Sequence, residues 1–188
     1  MNFRRLLSSG LLTLVLMGFS SVVSAGVMED IQATYPKIKI YSNTYQDAVG
    51  AEYTQKSMYI FETDNAKVGK VNFGIRLVQV RDQKYVCVEF DLVRKSWLFM
   101  DKATVGNGKE LIYLMPRREP ERELYAGFVK ESFMSVVDTY ELGFMKDTKI
   151  IRVSGNEYYM DVEYKKHKKK RMPYFEAIDY AIKFLNEK

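Results

Sequence analysis

Two neighbouring segments in which apolar and polar residues alternate constrain the fold more than any other feature of this sequence. Each segment carries an apolar residue at every second position. These positions are Val71, Phe73, Ile75 and Leu77 in the first segment, and Val86, Val88, Phe90 and Leu92 in the second. A period of two is typical of half-buried β-strands, and Arg81-Asp82-Gln83 between the segments is typical of a hairpin turn. The sequence therefore predicts an antiparallel hairpin near the middle of the chain.

Further hairpins are predicted on both sides of this one. The predicted strands are residues 57–63, 97–105, 110–115, 124–130, 150–154 and 157–164. Asn107-Gly108 lies between two of these strands, and an Asn-Gly pair readily adopts the positive φ angles of tight turns. Residues 116–123 are predicted to form a surface loop because they combine prolines with many charges. Residues 27–56 are predicted to be irregular, and Pro36 would end any short helix that begins near Met28.

Two helices are predicted late in the chain. Ser135 and Asp138 have the spacing of a capping box, and the apolar residues that follow as far as Phe144 have helical spacing. The last helix has Pro173 in its first turn. Its apolar face consists of Tyr174, Ile178, Ala181, Ile182 and Leu185. The sequence therefore predicts an α+β fold, in which an antiparallel β-sheet of consecutive hairpins packs against a C-terminal amphipathic helix, with one short additional helix.

Residues 1–25 have the pattern of a cleaved secretory signal peptide. Arg4 and Arg5 precede an apolar run that ends in Val23-Ser24-Ala25. We expect cleavage after Ala25, which leaves a single exported domain of residues 26–188 in the periplasm or outside the cell. The alternative is an uncleaved anchor, but serines and glycines dilute a run that is already short for the ~30 Å hydrocarbon core. No later segment is apolar for long enough to span a membrane.

The formal net charge of +5 is concentrated in one segment. The cations of this basic run are Lys165, Lys166, Lys168, Lys169, Lys170 and Arg171. Such a run attracts polymers that carry phosphate or carboxylate groups, so an anionic envelope polymer or lipid surface is a predicted partner. The alternative is a solvated loop between a strand and the last helix. Nucleic acid is not expected, because the basicity is local and the chain is predicted to be exported.

Nucleophilic and metal-dependent chemistry find little support in the composition. Cys87 is the single cysteine and lies in an apolar strand, which predicts a buried thiol and excludes an internal disulfide. The single histidine, His167, lies among lysines that disfavour its protonation as a general base. One histidine and one cysteine far apart in sequence do not form a ligand cluster, so no metal and no cofactor are expected.

Charged residues in the predicted strands offer two further hypotheses. Arg152 and Asp161 are predicted to face each other across one hairpin, where an ion pair would hold the strand register. The alternative is a ligand-binding arginine beside a general base. Carboxylates in strands could also serve a glycosidase, which needs two of them across one cleft. The candidates are Glu89, Asp91, Asp161 and Glu163.

The second half of the chain, roughly residues 97–185, resembles small exported or lipoprotein domains of unknown function in bacteria. The motifs that carry the resemblance are Trp97-x-Phe99, the Gly108-Lys109 hairpin, Glu131 after a strand, Arg152-x-x-Gly155, Tyr159-x-Asp161 and the last helix. The chain departs from that pattern at Asn107, where an acidic residue is expected, and in its basic run. The resemblance implies a fold and a bacterial envelope setting, and no activity.

Together these features predict a non-enzymatic exported protein that binds another envelope protein, polymer or lipid surface. Binding would use an exposed sheet face or the basic run. Two alternatives belong to other functional classes. The first is an inhibitor or immunity protein of a partner enzyme, and the second is an envelope hydrolase that depends on carboxylates.

Overall fold

The computed structural model describes residues 26–46, 52–62, 71–106, 109–148, 150–156, 158–163 and 172–188. The predicted signal peptide and the basic run lie outside the described residues, as does the Asn107-Gly108 turn. The structure confirms the α+β class. No helix in the described part of the chain is long and apolar enough to cross a membrane.

Three helices and ten strands make up the described fold. In chain order they are α1 Val27–Thr34, β1 Tyr41–Gln46, β2 Glu52–Glu62, β3 Val71–Val80, β4 Gln83–Arg94, β5 Lys102–Gly106, β6 Leu111–Leu114, β7 Glu121–Tyr125, β8 Phe128–Val137, α2 Thr139–Lys146, β9 Ile150–Ser154, β10 Tyr159–Glu163 and α3 Tyr174–Asn186. Every strand pairing is antiparallel.

The strands form two sheets. The larger one has six strands in the order β1-β2-β3-β4-β8-β7, and the smaller one has four in the order β10-β9-β5-β6. The predicted central hairpin is present, with Val71 opposite Leu92 at one end and Val80 opposite Gln83 at the other. The hairpin of β9 and β10 is also where the sequence predicts it. A single sheet was expected, so the division into two sheets is a correction.

The core lies between the apolar faces of the sheets and the three helices. Phe73 contacts Phe90 at 5.1 Å between ring centroids, and Phe90 stacks on Phe133 at 5.0 Å. Helix α3 packs on this aromatic row through Tyr174, whose ring meets the edge of Phe61 at 5.3 Å. The alternation of apolar residues in β3 and β4 therefore supplies the inner face of the larger sheet.

The larger sheet also begins earlier than predicted. Residues 41–46 and 52–56, expected to be irregular, belong to β1 and β2. These strands are rich in tyrosine, threonine and polar residues, so they lack the apolar alternation that identifies a strand in sequence. Helix α1 lies in the segment predicted to be irregular, so the fold has two short helices in addition to α3 where one was predicted.

Three local predictions are wrong between residues 116 and 141. The predicted loop contains the start of β7, and a turn at Ala126-Gly127 interrupts the predicted strand 124–130. Strand β7 lies at a sheet edge, where charged side chains remain solvated, and this is why its polar sequence is compatible with a strand. Helix α2 is capped by Asp138 and Glu141, while Ser135 is buried within β8.

The chain turns from one sheet into the other at residues 97–101, which were predicted to be strand but lie before β5. Both carboxylate oxygens of Glu131 accept backbone hydrogen bonds, from the Leu98 N–H at 2.5 Å and the Met100 N–H at 2.9 Å. Phe99 between them has a φ of 55°. Because the buried Glu131 takes both N–H groups, this segment bends instead of continuing a strand ladder.

Candidate functional site on the open face of the six-stranded sheet

The face of the six-stranded sheet opposite the core carries mainly polar side chains. We call it the open face. The strand register places three cross-strand rows on it, which are Tyr59-Arg76-Cys87, Gly74-Glu89-Met134 and Asn72-Asp91-Ser132. Since side chains alternate between the two faces of a strand, the apolar alternation that builds the core also gathers these polar residues on the opposite side.

A groove crosses the open face and has two overlapping parts. The wider part has a volume of about 280 Å³ and runs from Tyr59 across β3, β4 and β8 to the start of β7. The smaller hollow has a volume of about 200 Å³ and is lined along β3 by Asn72, Phe73 and Gly74. Tyr59, Glu89 and Asp91 line both parts. The groove is thus a continuous concave surface centred on those three side chains.

Tyr59, Arg76 and Glu89 form a connected network at the centre of the groove. The Tyr59 hydroxyl donates a hydrogen bond to Glu89, and the Arg76 guanidinium lies 2.5 Å from the same carboxylate. The guanidinium also lies over the Tyr59 ring, 5.1 Å from its centroid. Burial, followed by the hydrogen bond to Glu89, raises the pKa of Tyr59 well above its usual range, so the hydroxyl remains a donor at neutral pH.

One polar atom of this network has no partner. The Nε of Arg76 is buried, and no acceptor in the described residues lies within hydrogen-bonding distance. Its Nη2 contacts Glu89 and lies 3.6 Å from the sulfur of Met134. Buried polar groups are usually hydrogen-bonded. The Nε of Arg76 is an exception to this rule, and its burial also shields it from a ligand in the groove.

Charge is unevenly divided along the groove. The smaller hollow is lined by Glu62, Glu89 and Asp91, and no lysine or arginine is among the described residues that line it. The wider part adds the cations Arg76, Arg118 and Lys130. Lys130 lies 3.2 Å from Glu123, and the hydrogen bond to Glu123 together with the nearby charge of Asp91 raises its pKa. One end of the groove is anionic, and the other has mixed charge with exposed cations.

The predicted pair of Arg152 and Asp161 lies elsewhere, on the smaller sheet. The two residues are directly opposite in the register, with Nε to Oδ1 at 2.8 Å and Nη2 to Oδ2 at 3.1 Å. The guanidinium also stacks on Tyr159 at 3.8 Å. The hydrogen bond to Asp161 raises the pKa of Arg152. All the donors and acceptors named here are used within the pair, which is the geometry of a register-holding contact.

The four carboxylates proposed from sequence are divided between the sheets. Glu89 and Asp91 line one groove, whereas Asp161 and Glu163 belong to β10. Cys87 is 3% exposed, and burial raises the pKa of its thiol, which keeps it protonated. Within the described ranges, no group of three or more histidine, cysteine or acidic residues has a geometry suited to a metal ion.

Sequence reasoning did not identify Tyr59, Arg76 and Lys130 as parts of one site. The alternation in β3 does place Arg76 on the polar face, and the same logic applies to Lys130 in β8. What the sequence lacks is the order of the strands, since β8 joins the sheet next to β4 from 40 or so residues away. No family, characterised protein or solved structure matches this chain.

Proposed function

We propose that this chain is a non-enzymatic, exported binding protein of the bacterial envelope that holds a polar ligand in the groove of its open face. The observation that carries the proposal is the groove itself, where Tyr59, Glu89 and Asp91 line both parts of one concave surface on the open face. The pattern of residues 1–25 supports export. A variant that lacks function would therefore fail to bind the ligand, and no catalytic turnover would be affected.

Capture from envelope extract tests the proposal. Residues 26–188 are immobilised, and bound proteins, lipids and small molecules are identified by mass spectrometry at low and high salt. Asp91→Asn removes one charge from the groove, while Asp161→Asn removes one charge from the other sheet and serves as the matched control. We expect a bound component that Asp91→Asn loses and Asp161→Asn retains. A component retained equally by both variants would place binding outside the groove and overturn the proposal.

The second candidate is a hydrolase, and one observation favours it. Glu89 and Asp91 line the same groove, as a pair of catalytic carboxylates must. Glu89, however, is engaged by Tyr59 and Arg76. Turnover of peptidoglycan, a phosphoester or a glycoside by the purified protein, abolished by Asp91→Asn, would establish the hydrolase. A stoichiometric, salt-resistant protein partner would instead establish an inhibitor or immunity protein.

A further inference from the structure

Strand β1 forms one edge of the six-stranded sheet. It is first in the order of that sheet and pairs only with β2 among the described strands. An open edge presents backbone N–H and C=O groups with which a strand of another chain can pair. We infer that β1 is the interface of a homodimer, in which β1 of one copy pairs antiparallel with β1 of a second copy. This inference goes beyond the proposed function, because it concerns an edge of the sheet and not the groove.

The sequence of β1 is complementary to itself. The residues at positions 41–45 are Tyr, Ser, Asn, Thr and Tyr. When two such strands run antiparallel with Asn43 opposite the second copy's Asn43, Tyr41 lies opposite Tyr45 and Ser42 lies opposite Thr44. Aromatic pairs and serine–threonine pairs are among the cross-strand pairs that stabilise a sheet. A two-fold axis through Asn43 therefore brings both kinds of favourable pair together in one register.

This register also matches the two faces of the sheet. Asn43 is opposite Gln55 of β2, and Gln55 lies two positions before Ser57 and four before Tyr59, on the open face. Residues directly opposite each other in an antiparallel pair point to the same side of the sheet. Pairing Asn43 with itself therefore joins the open face of one copy to the open face of the other. A shift by one residue would join an open face to a core face.

The segment of residues 41–45 lacks the charged side chains that usually protect a sheet edge. All five of its residues are exposed, with Tyr41 at 57% and Tyr45 at 40%. Ser42 and Thr44 are exposed even though the register places them on the same face as the buried Met58 of β2. Strand β1 is thus solvated on both faces in the single copy, and its edge is uncharged.

The other three edges of the described sheets are less suited to self-pairing. Strand β7 carries Glu121 and Glu123, and β10 carries Asp161, so both edges are charged. Strand β6 has no charge, but it has only four residues. Pairing all four with a second copy would set Leu111, which is 63% exposed, opposite the fully buried Leu114. These two side chains belong to different faces of the sheet, so the faces would not match as they do at β1.

The size of the interface sets the expected affinity. The described segment supplies five residues from each copy. A standard protein–protein interface has roughly 20–30 residues a side. We therefore expect reversible association with a dissociation constant between about 1 µM and 1 mM.

Sedimentation equilibrium with charge variants of Asn43 tests the inference. The full chain is expressed and purified in the form that the cell produces, and its mass is measured up to a concentration of about 1 mM. Asn43→Lys and Asn43→Asp each place two like charges opposite each other across the two-fold axis, so each should weaken dimerisation about fivefold. An equimolar mixture of the two variants should restore the dimer, because opposite charges then face each other. Circular dichroism shows that each variant is folded.

Disulfide cross-linking tests the register itself. Asn43→Cys places two thiols directly opposite, where the Cβ atoms are about 4.5–5.5 Å apart, so oxidised glutathione should produce a covalent dimer. Ser42→Cys is the matched control on the same strand. Ser42 lies diagonal to the second copy's Ser42, at roughly 7–8 Å, which is too far for a disulfide. The native Cys87 is 3% exposed and should not react.

Three results would overturn the inference. They are a chain that stays monomeric at about 1 mM, a dimer that tolerates both charge variants, and equal cross-linking of Asn43→Cys and Ser42→Cys. A foreign protein that binds a monomeric chain and is lost in Asn43→Lys would also overturn it, because the edge would then belong to a heterologous partner. None of these results depends on Asp91 or on a ligand of the groove, so the proposed function is tested separately.

Discussion

The carbonyl oxygen of Leu98 lies 1.9 Å from the position that a Cβ atom would occupy at Gly155. Real Cβ atoms do not approach backbone oxygen this closely, so the turn after β9 passes the inter-sheet segment only because residue 155 has no side chain. Leu98 is itself held by the buried Glu131. The contact joins the two sheets at a point where neither backbone can move without disturbing the other.

Gly155→Ala should therefore destabilise the fold. The added methyl group collides with backbone atoms of Leu98 and Phe99, and overpacking of this kind costs about 1–3 kcal/mol. Gly143→Ala in α2 is the matched control, because no atom beyond its chain neighbours and the adjacent backbone of its own helix lies within 4 Å of its Cβ position. That substitution should stabilise the protein by about 0.5–1 kcal/mol. Urea unfolding of both variants measures the difference, and equal midpoints would contradict the close approach.

Glu131→Ala should be the most damaging substitution of a charged residue. Glu131 is 0% exposed, accepts the N–H groups of Leu98 and Met100, and lies 3.5 Å from the Nε of Arg122. Its removal leaves buried donors without acceptors, which costs about 3–5 kcal/mol in comparable buried pairs. Glu123→Gln, which breaks the exposed pair with Lys130, should cost less than about 1 kcal/mol. Chemical denaturation that ranks these two variants in the reverse order would contradict the bridging role of Glu131.

The residues at the contact between the two sheets show how much can be predicted from the sequence. Trp97, Phe99, Glu131 and Gly155 were associated only through a resemblance, and nothing in their spacing indicates a contact. They meet because Glu131 on β8 of the larger sheet and Gly155 after β9 of the smaller sheet both contact the segment of residues 97–101. A glutamate within a strand is expected to face solvent, yet Glu131 lies on the core face opposite Leu92. Its burial depends on backbone donors that no periodicity predicts.

The open face was partly predictable. Alternation in β3 and β4 places Arg76, Glu89 and Asp91 on one side, because a hairpin preserves the parity of both strands. Tyr59, the remaining residue of the network, lies on β2, where a bulge between Tyr59 and Phe61 shifts the register. A bulge adds one residue and reverses the parity of the strand beyond it. The sequence around Ile60 is apolar throughout and does not indicate which residue is the additional one.

The basic run carries a prediction that is independent of the groove. Neutralising Lys165, Lys166, Lys168, Lys169 and Lys170 should leave the unfolding midpoint unchanged, because solvated charges contribute little to stability. Binding to anionic phospholipid vesicles at low salt should fall, since each lysine near such a surface contributes about 1 kcal/mol. Vesicle sedimentation at two ionic strengths measures this. Equal binding by the variant and the unmodified chain at low salt would show that the run only solvates its loop.

Tyr59 should make the fold sensitive to alkaline pH. Burial and the hydrogen bond to Glu89 raise its pKa above the ordinary value of 10.0, so the folded state retains a proton that the unfolded chain releases. The resulting stabilisation is complete below pH 10 and is lost as the pH rises from there towards the folded pKa. Tyr59→Phe has no such proton, so its free energy of unfolding should fall less steeply above pH 10.

The comparison must allow for a second tyrosine. Burial and then a hydrogen bond with Glu176 raise the pKa of Tyr35 to about 12, so Tyr35 contributes to the alkaline slope in both proteins and cancels between them. Denaturant unfolding at several pH values between neutrality and pH 11 gives the two slopes. Identical slopes would mean that Tyr59 titrates normally and that its hydroxyl is not committed to Glu89. In that case the Glu89 oxygen that accepts from Tyr59 would be available to a ligand, while the other oxygen would still contact Arg76.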